Sequence, residues 1–248
     1  METKKNIKMI LKYDGTEYHG WQRQKNDRTI QAVLEEKIGI ITKEQITLIG
    51  SGRTDTGVHA LHQVCNFHTN SKIDPESLRQ GLNSLLPDDI YIKSIEYVSP
   101  EFHSRYSVKS KVYEYRIWNR PAPNIFLRNY TWHVKEALRL DEMAKCMDIL
   151  TGNHDFSAFK SSGSGNINPV RNMINTEIQD EHDGLVLFRF ESEGFLRHMV
   201  RNIVGTLMEV GRGKMAQKEF EEIFQSKDRQ KAGIKAPPQG LFLMMVSY

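Results

Sequence analysis

The stretch Gly50-Ser51-Gly52-Arg53-Thr54-Asp55-Thr56-Gly57-Val58-His59-Ala60 decides how the chain is read. An apolar run, Ile46 to Ile49, precedes it, and a strand-like run, Gln63 to Thr69, follows it. Three glycines in eight positions make a tight loop, because glycine takes positive φ without steric cost. The stretch is therefore a connection between two strands, and it presents an arginine and a carboxylate two residues apart. Asp and Thr can be there simply to cap a turn through their own backbone. Loops on a rigid scaffold also carry chemistry, and the residues of this loop allow both readings.

Outward from the loop, the flanking segments fall into a regular order. Ile7, Met9, Leu11 and Tyr13 alternate with Lys8 and Lys12, the period of a half-buried strand. A polar loop from Asp14 to Arg28 holds Gly15, Gly20 and Trp21. Ile30, Val33, Leu34 and Ile38 then recur at helical spacing behind Thr29, an N-cap residue. Asp74-Pro75 opens a second helix with Leu78, Leu82, Leu85 and Leu86 inward, closed by Pro87. Ile90 to Val98 is a strand. The order strand, helix, strand, strand, helix, strand is the ferredoxin-like βαββαβ unit.

The second half repeats that order. Strand patterns cover Ser110–Trp118, Asn172–Asp180, Leu185–Ser192 and Leu241–Val246. Helical patterns cover Leu140–Leu150, with Gly152 expected at C′, and about Phe195 to Val210, stopped by Gly211. A short helix is expected over Gln217–Phe224. The expected fold class is α+β: two ferredoxin-like halves, 1–106 and 107–248, forming one mostly antiparallel sheet with helices on one face. A ligand cleft is expected between the halves.

Composition bounds the function. The 248 residues are 39% hydrophobic and 26% charged, ordinary for a globular protein. Net charge is +3, which favours an anionic partner only where the basic residues cluster. Cys65 and Cys146 lie far apart, so neither a disulfide framework nor a zinc cage is expected. His59, His62 and His68 fit no standard zinc spacing, and no metal is expected. No apolar run approaches membrane-spanning length and no signal-like apolar region follows the N-terminal residues. A soluble cytoplasmic protein is expected.

The loop sequence resembles the signature of the tRNA pseudouridine synthases of the TruA type, Gly-Arg-Thr-Asp-Ala-Gly-Val-His-Ala. Only Thr56 departs, where alanine is usual. Lys109–Ile117, Phe195–Asn202, Phe102–Ser107, His154–Phe156 and Val170–Arg171 extend the resemblance along nearly the whole chain; in Phe102–Ser107, Ser104 stands where alanine is usual. The resemblance implies a pseudouridine synthase fold and an isomerase without cofactor or metal. Its implied substrate is tRNA, at uridines 38, 39 and 40 of the anticodon stem-loop, and its implied assembly is a homodimer.

The reaction breaks the bond from ribose C1′ to uracil N1, turns the base, and joins C1′ to C5. Nothing is oxidised and no water is consumed, so the chemistry asks for an ionised carboxylate near the sugar. The resemblance assigns that carboxylate to Asp55. It could attack C1′ or take a proton from C2′, and the sequence leaves both routes open. The resemblance pairs Arg197 with the carboxylate; a guanidinium there would offset the pKa rise that burial brings. It gives Tyr113 the role of stacking on the target base, with its hydroxyl near the C5 proton. Tyr115 lies on the same strand face, so alternation alone does not separate the two. Arg53 is implied to fill the space left by a flipped uridine, a phosphate contact being the other reading. Leu241, behind Pro237-Pro238-Gln239-Gly240, is implied as a wall of the active site, or is a plain core leucine. An RRM-type binder is the rival from the same fold, but its aromatic motif is absent. A glycosidase would need a second carboxylate in range of Asp55.

Overall fold

The structure is a computed structural model and describes residues 4–163, 168–181 and 183–248. In chain order its elements are β1 (Lys5–Tyr13), α1 (Ile30–Thr42), β2 (Ile49–Gly50), β3 (His59–Thr69), α2 (Pro75–Leu85) and β4 (Ile90–Val98). They continue with β5 (Ser110–Asn119), β6 (Trp132–Val134), α3 (Leu140–Asp148), β7 (Gly152–Asp155), β8 (Val170–Asp180) and β9 (Leu185–Ser192). The last are α4 (Met199–Gly211), α5 (Gln217–Ser226) and β10 (Leu241–Ser247). Single 3₁₀ turns occur at Ser157–Phe159 and Pro238–Gly240. The fold is α+β with mostly antiparallel pairing. The chain divides into two compact units, Met1–Lys109 with Phe242–Tyr248, and Ser110–Leu241.

In the first unit β1 is central, antiparallel to β3 on one side and β4 on the other. Its alternating Ile7, Met9, Leu11 and Tyr13 are buried, as are Leu34, Ile38, Leu78 and Leu82 of the two helices. Both helices start where capping chemistry puts them. Asp74 accepts from the N–H groups of Glu76 and Ser77 at 3.1 and 3.0 Å, with Pro75 at the first helical position. Thr29 caps α1 by accepting from Ala32 N–H.

Two boundaries of the first unit differ from the sequence reading. Ile46 to Ile49 was expected to pair throughout, yet β2 is only Ile49–Gly50. The backbone of Leu48 bonds side chains of α1 instead: its N–H donates to Glu35 Oε1 (2.9 Å) and its carbonyl accepts from Gln31 Nε2 (3.1 Å). β3 begins at His59 rather than Gln63, because His59 and Ala60 pair in parallel with Phe242 and Leu243. The same pairing clusters the closing strand with the first unit, where the sequence reading had it in the second half.

In the second unit β5, β9, β8 and β7 are successive antiparallel neighbours, and β6 adds in parallel to β5. All of α4 except Glu209 is buried. Phe156 and Phe159 pack on Phe220 and Phe224 of α5. Gly152 is not a helix C′ residue: α3 ends at Asp148, and Gly152, at φ +105°, opens β7. α4 starts at Met199, not Phe195. His198 takes a left-handed backbone (φ 61°), which a helix cannot propagate through, so Arg197 precedes the helix instead of lying in its first turn. Part of the loop expected from Ser161 to Pro169, and His182 in the turn from Glu181 to Gly184, lie outside the described residues. Among the described residues no helix is long and apolar enough to cross a membrane.

Candidate active site

The Asp55 loop is fixed by its neighbours before any ligand arrives. Ser51 N–H donates to Val64 O (2.8 Å), Ser51 Oγ bonds Gln63 Oε1 (2.6 Å), and Gln63 Nε2 donates to Gly52 O (3.0 Å). Thr54 is buried, its hydroxyl 2.8 Å from that of Tyr13. Burial pushes the pKa of the Tyr13 phenol up, so it stays a neutral hydrogen-bonding group. Past the aspartate the chain turns: Val58 N–H donates to Asp55 O (3.1 Å), with Gly57 at φ +74°. Gly57 N–H reaches Tyr18 O (3.2 Å).

The loop from Asp14 to Arg28 forms the other wall. Trp21 N–H donates to Thr54 O (3.0 Å). The carbonyls of Gly20 and Trp21 accept from Ile30 and Gln31 N–H (3.1 and 3.0 Å). These are first-turn donors of α1 that have no partner within the helix. One strip of backbone thus joins a helix start to the residue before Asp55. The approach is too close for a side chain at Gly20: a Cβ there would meet Thr54 O at 2.5 Å, and its φ is +86°. Gly20→Ala is therefore expected to cost more than about 1 kcal/mol in urea unfolding and to lower turnover with it. Wild-type stability and turnover in that variant would contradict the described packing.

On this loop Arg53 is exposed, Asp55 is partly buried, and Thr56, the one departure from the signature, is exposed. Nearby, the backbone N–H of the buried Ser104 bonds Asn66 Oδ1 (2.9 Å), and its hydroxyl bonds Ile49 O. That anchor presents Tyr106 to solvent, 77% exposed, stacked on His103 with centroids 4.2 Å apart.

In the second unit both tyrosines of β5 are buried, with different partners. Tyr115 is fully buried, its hydroxyl donating to Pro237 O (2.8 Å), and it belongs to the core. Tyr113 packs edge-on against Phe195, centroids 4.9 Å apart, which brings it to the segment leading to Arg197. Arg197 is exposed; its Nη1 donates to Ser162 O (3.0 Å) and its carbonyl accepts from Ser161 N–H (3.2 Å). Leu241 is buried at the start of β10, behind Gly240, where a Cβ would meet the Tyr115 ring at 2.8 Å. His154, Asp155 and Phe156 are scaffold: the His154 ring packs on Phe224, and Asp155 accepts from Ser157 N–H and pairs with Lys227. Among the described residues no group of three or more His, Cys, Asp or Glu is placed to hold a metal.

The sequence reading named the loop but missed its holders, Tyr13, Trp21 and Gln63. A tryptophan inside an otherwise polar loop, directly after a glycine, was the available signal.

A family model described as tRNA pseudouridine synthase matches residues 9–107 and 131–248. The stretch between the matched segments contains Tyr113. The tRNA pseudouridine synthase A of Thermoanaerobacter sp. (strain X514) is 50% identical over 244 residues, 98% of this chain and all of the relative. Those of Acetivibrio thermocellus and Protochlamydia amoebophila (A 1) are 47% and 45% identical over 98% and 97% of the chain, and over 100% and 95% of their own lengths. On these matches, and with the Gly-Arg-Thr-Asp loop held as described, the chain belongs to the tRNA pseudouridine synthase family.

Proposed function

We propose that the protein isomerises uridine to pseudouridine in the anticodon stem-loop of tRNA, at positions 38, 39 and 40, with Asp55 as the catalytic carboxylate. The observation that carries the reading is the fixation of the Asp55 loop from both sides by Tyr13, Gln63 and the Gly20–Trp21 backbone. A carboxylate held in place before substrate binds needs no reorganisation when the C1′–N1 bond breaks.

The remaining roles follow from residue chemistry and family likeness. Arg197 supplies a countercharge to the Asp55 carboxylate when a nucleotide covers it. Tyr113 offers a flat ring to the turned base, and Leu241 an apolar wall. Roles for residues of both units require that both reach the same uridine. Tyr106, His103 and Arg105 suit RNA, since exposed aromatics stack on bases of any sequence. A cytoplasmic homodimer is the accompanying proposal.

Arg53, exposed beside Asp55, is proposed to occupy the gap left by the flipped uridine. Arg53→Ala should keep fold and tRNA affinity but turn over on the order of 100-fold more slowly. Unchanged turnover in single-turnover assays would remove that role. The function as a whole is tested by mapping pseudouridine in unmodified tRNA transcripts after incubation. Product at 38, 39 and 40, lost when those uridines are replaced by cytidine, is expected. Product only elsewhere would assign the enzyme a different set of uridines.

A further inference from the structure

Asn202 lies in the first turn of α4, fully buried, with both ends of its amide engaged. Nδ2 donates to Phe159 O (2.7 Å) and to Ser161 Oγ (3.2 Å), and Oδ1 accepts from Arg229 Nη2 (3.0 Å). A buried amide with every group engaged fixes what surrounds it, because losing any partner leaves a polar group stranded.

On its donor side Asn202 holds the chain that seats Arg197. Ser161 N–H bonds Arg197 O, and Ser162 O accepts from Arg197 Nη1. Gly163 follows at φ +85°, and a Cβ there would come to 2.5 Å from Arg197 Nη1. Ser161 thus holds the backbone of Arg197, while Ser162 and Gly163 lie against its guanidinium. On its acceptor side Asn202 meets Arg229, which also donates to Ala232 O and Gly233 O (3.2 and 3.0 Å). That segment continues along α4, with Gly233 N–H on Thr206 Oγ1 (3.0 Å) and Arg201 Nε on Ala236 O (2.8 Å). It then passes through Pro237 and Pro238 to Leu241.

We propose that Asn202 is a positioning residue: through Phe159–Gly163 it sets the Arg197 guanidinium, and through Arg229 it couples that seat to the segment leading into Leu241. The inference rests on the reading that Arg197 serves the catalytic carboxylate.

The test is a double-mutant cycle on turnover. Asn202→Asp keeps the shape of the side chain and its acceptor for Arg229 but sets a carboxylate oxygen against Phe159 O. It is expected to lower kcat about 10- to 100-fold with the KM for tRNA within about 3-fold. In an Arg197→Ala background the same change is expected to cost less than about 2-fold, while its loss of melting temperature persists in both backgrounds. An equal loss of kcat in both backgrounds, or a KM effect with kcat unchanged, would overturn the inference and leave the role of Arg197 intact. Wild-type turnover by Arg197→Ala alone would remove the role of Arg197, and the inference with it. Should Asn202→Asp not fold, Gly163→Ala, in a loop, displaces the guanidinium directly. It should show the same dependence on Arg197, and an unchanged kcat would overturn the proposal.

Discussion

Asp55→Asn is expected to fold and to bind tRNA like the wild type, and to turn over about 10⁴-fold more slowly, the scale on which removal of a catalytic group is felt. Asparagine keeps the shape of the side chain but is neutral. It cannot attack C1′ as a carboxylate does, and it is far too weak a base for C2′. Folding should survive because asparagine keeps the shape of the side chain and the loop is also held through its backbone and its neighbours. Val58 and Gly57 N–H close the turn, Tyr13 bonds Thr54, and Trp21 bonds Thr54 O. Circular dichroism and filter binding report on fold and affinity, and nucleoside analysis of the tRNA reports on product. Near-normal turnover would move the catalysis elsewhere.

The second large effect is on stability. Gly205→Ala is expected to destabilise the protein by about 3 kcal/mol, at the upper end of the overpacking range. A Cβ at position 205 would lie 1.7 Å from Ile234 O and 2.8 Å from Ile234 C. Both are backbone atoms, which cannot swing aside as the end of a side chain can. The segment around them is tied to α4: Ala236 N–H donates to Arg201 O (3.0 Å), Arg201 Nε returns a bond to Ala236 O, and Gly233 N–H bonds Thr206 Oγ1. Alanine is the better helix former by up to about 1 kcal/mol, so propensity alone would raise stability. The clash decides the sign, and the urea midpoint measures it. A raised midpoint would show that the segment yields easily and would contradict the packing described for α4.

How much of this was readable beforehand follows the range of the forces involved. α1, α2, β4 and β9 are local. Thr29 and Asp74 mark the helix starts, and alternation marks the strands, so their bounds follow from neighbours in sequence. β3 was misjudged at its start because His59 and Ala60 are held by Phe242 and Leu243, from the far end of the chain. β2 is short because Gln31 and Glu35 of α1 take the backbone groups of Leu48, a competition invisible in the strand's own residues. β7, reading Gly-Asn-His-Asp, carries no apolar alternation at all. The start of α4 moved because His198 is left-handed, a conformation in which histidine is enriched but which few histidines adopt, so its neighbours in sequence do not announce it.

The same division runs through the candidate site. Glycines and the Arg-Thr-Asp triplet announce the loop locally. What stiffens it is non-local: Tyr13 reaches Thr54 across 41 positions. Tyr113 and Tyr115 share a strand face and a residue type and are both buried, and only the fold shows that Tyr115 bonds Pro237 O while Tyr113 meets Phe195.

The most direct test is tritium release from tRNA transcripts labelled at uridine C5, with the wild type and Asp55→Asn side by side. C5 loses its hydrogen when it becomes the atom bonded to C1′, so release reports isomerisation itself. Rapid release by the wild type, matched by pseudouridine formed and absent in Asp55→Asn, is the predicted result. Release by both proteins would contradict the role of Asp55, and release by neither would contradict the isomerase reading.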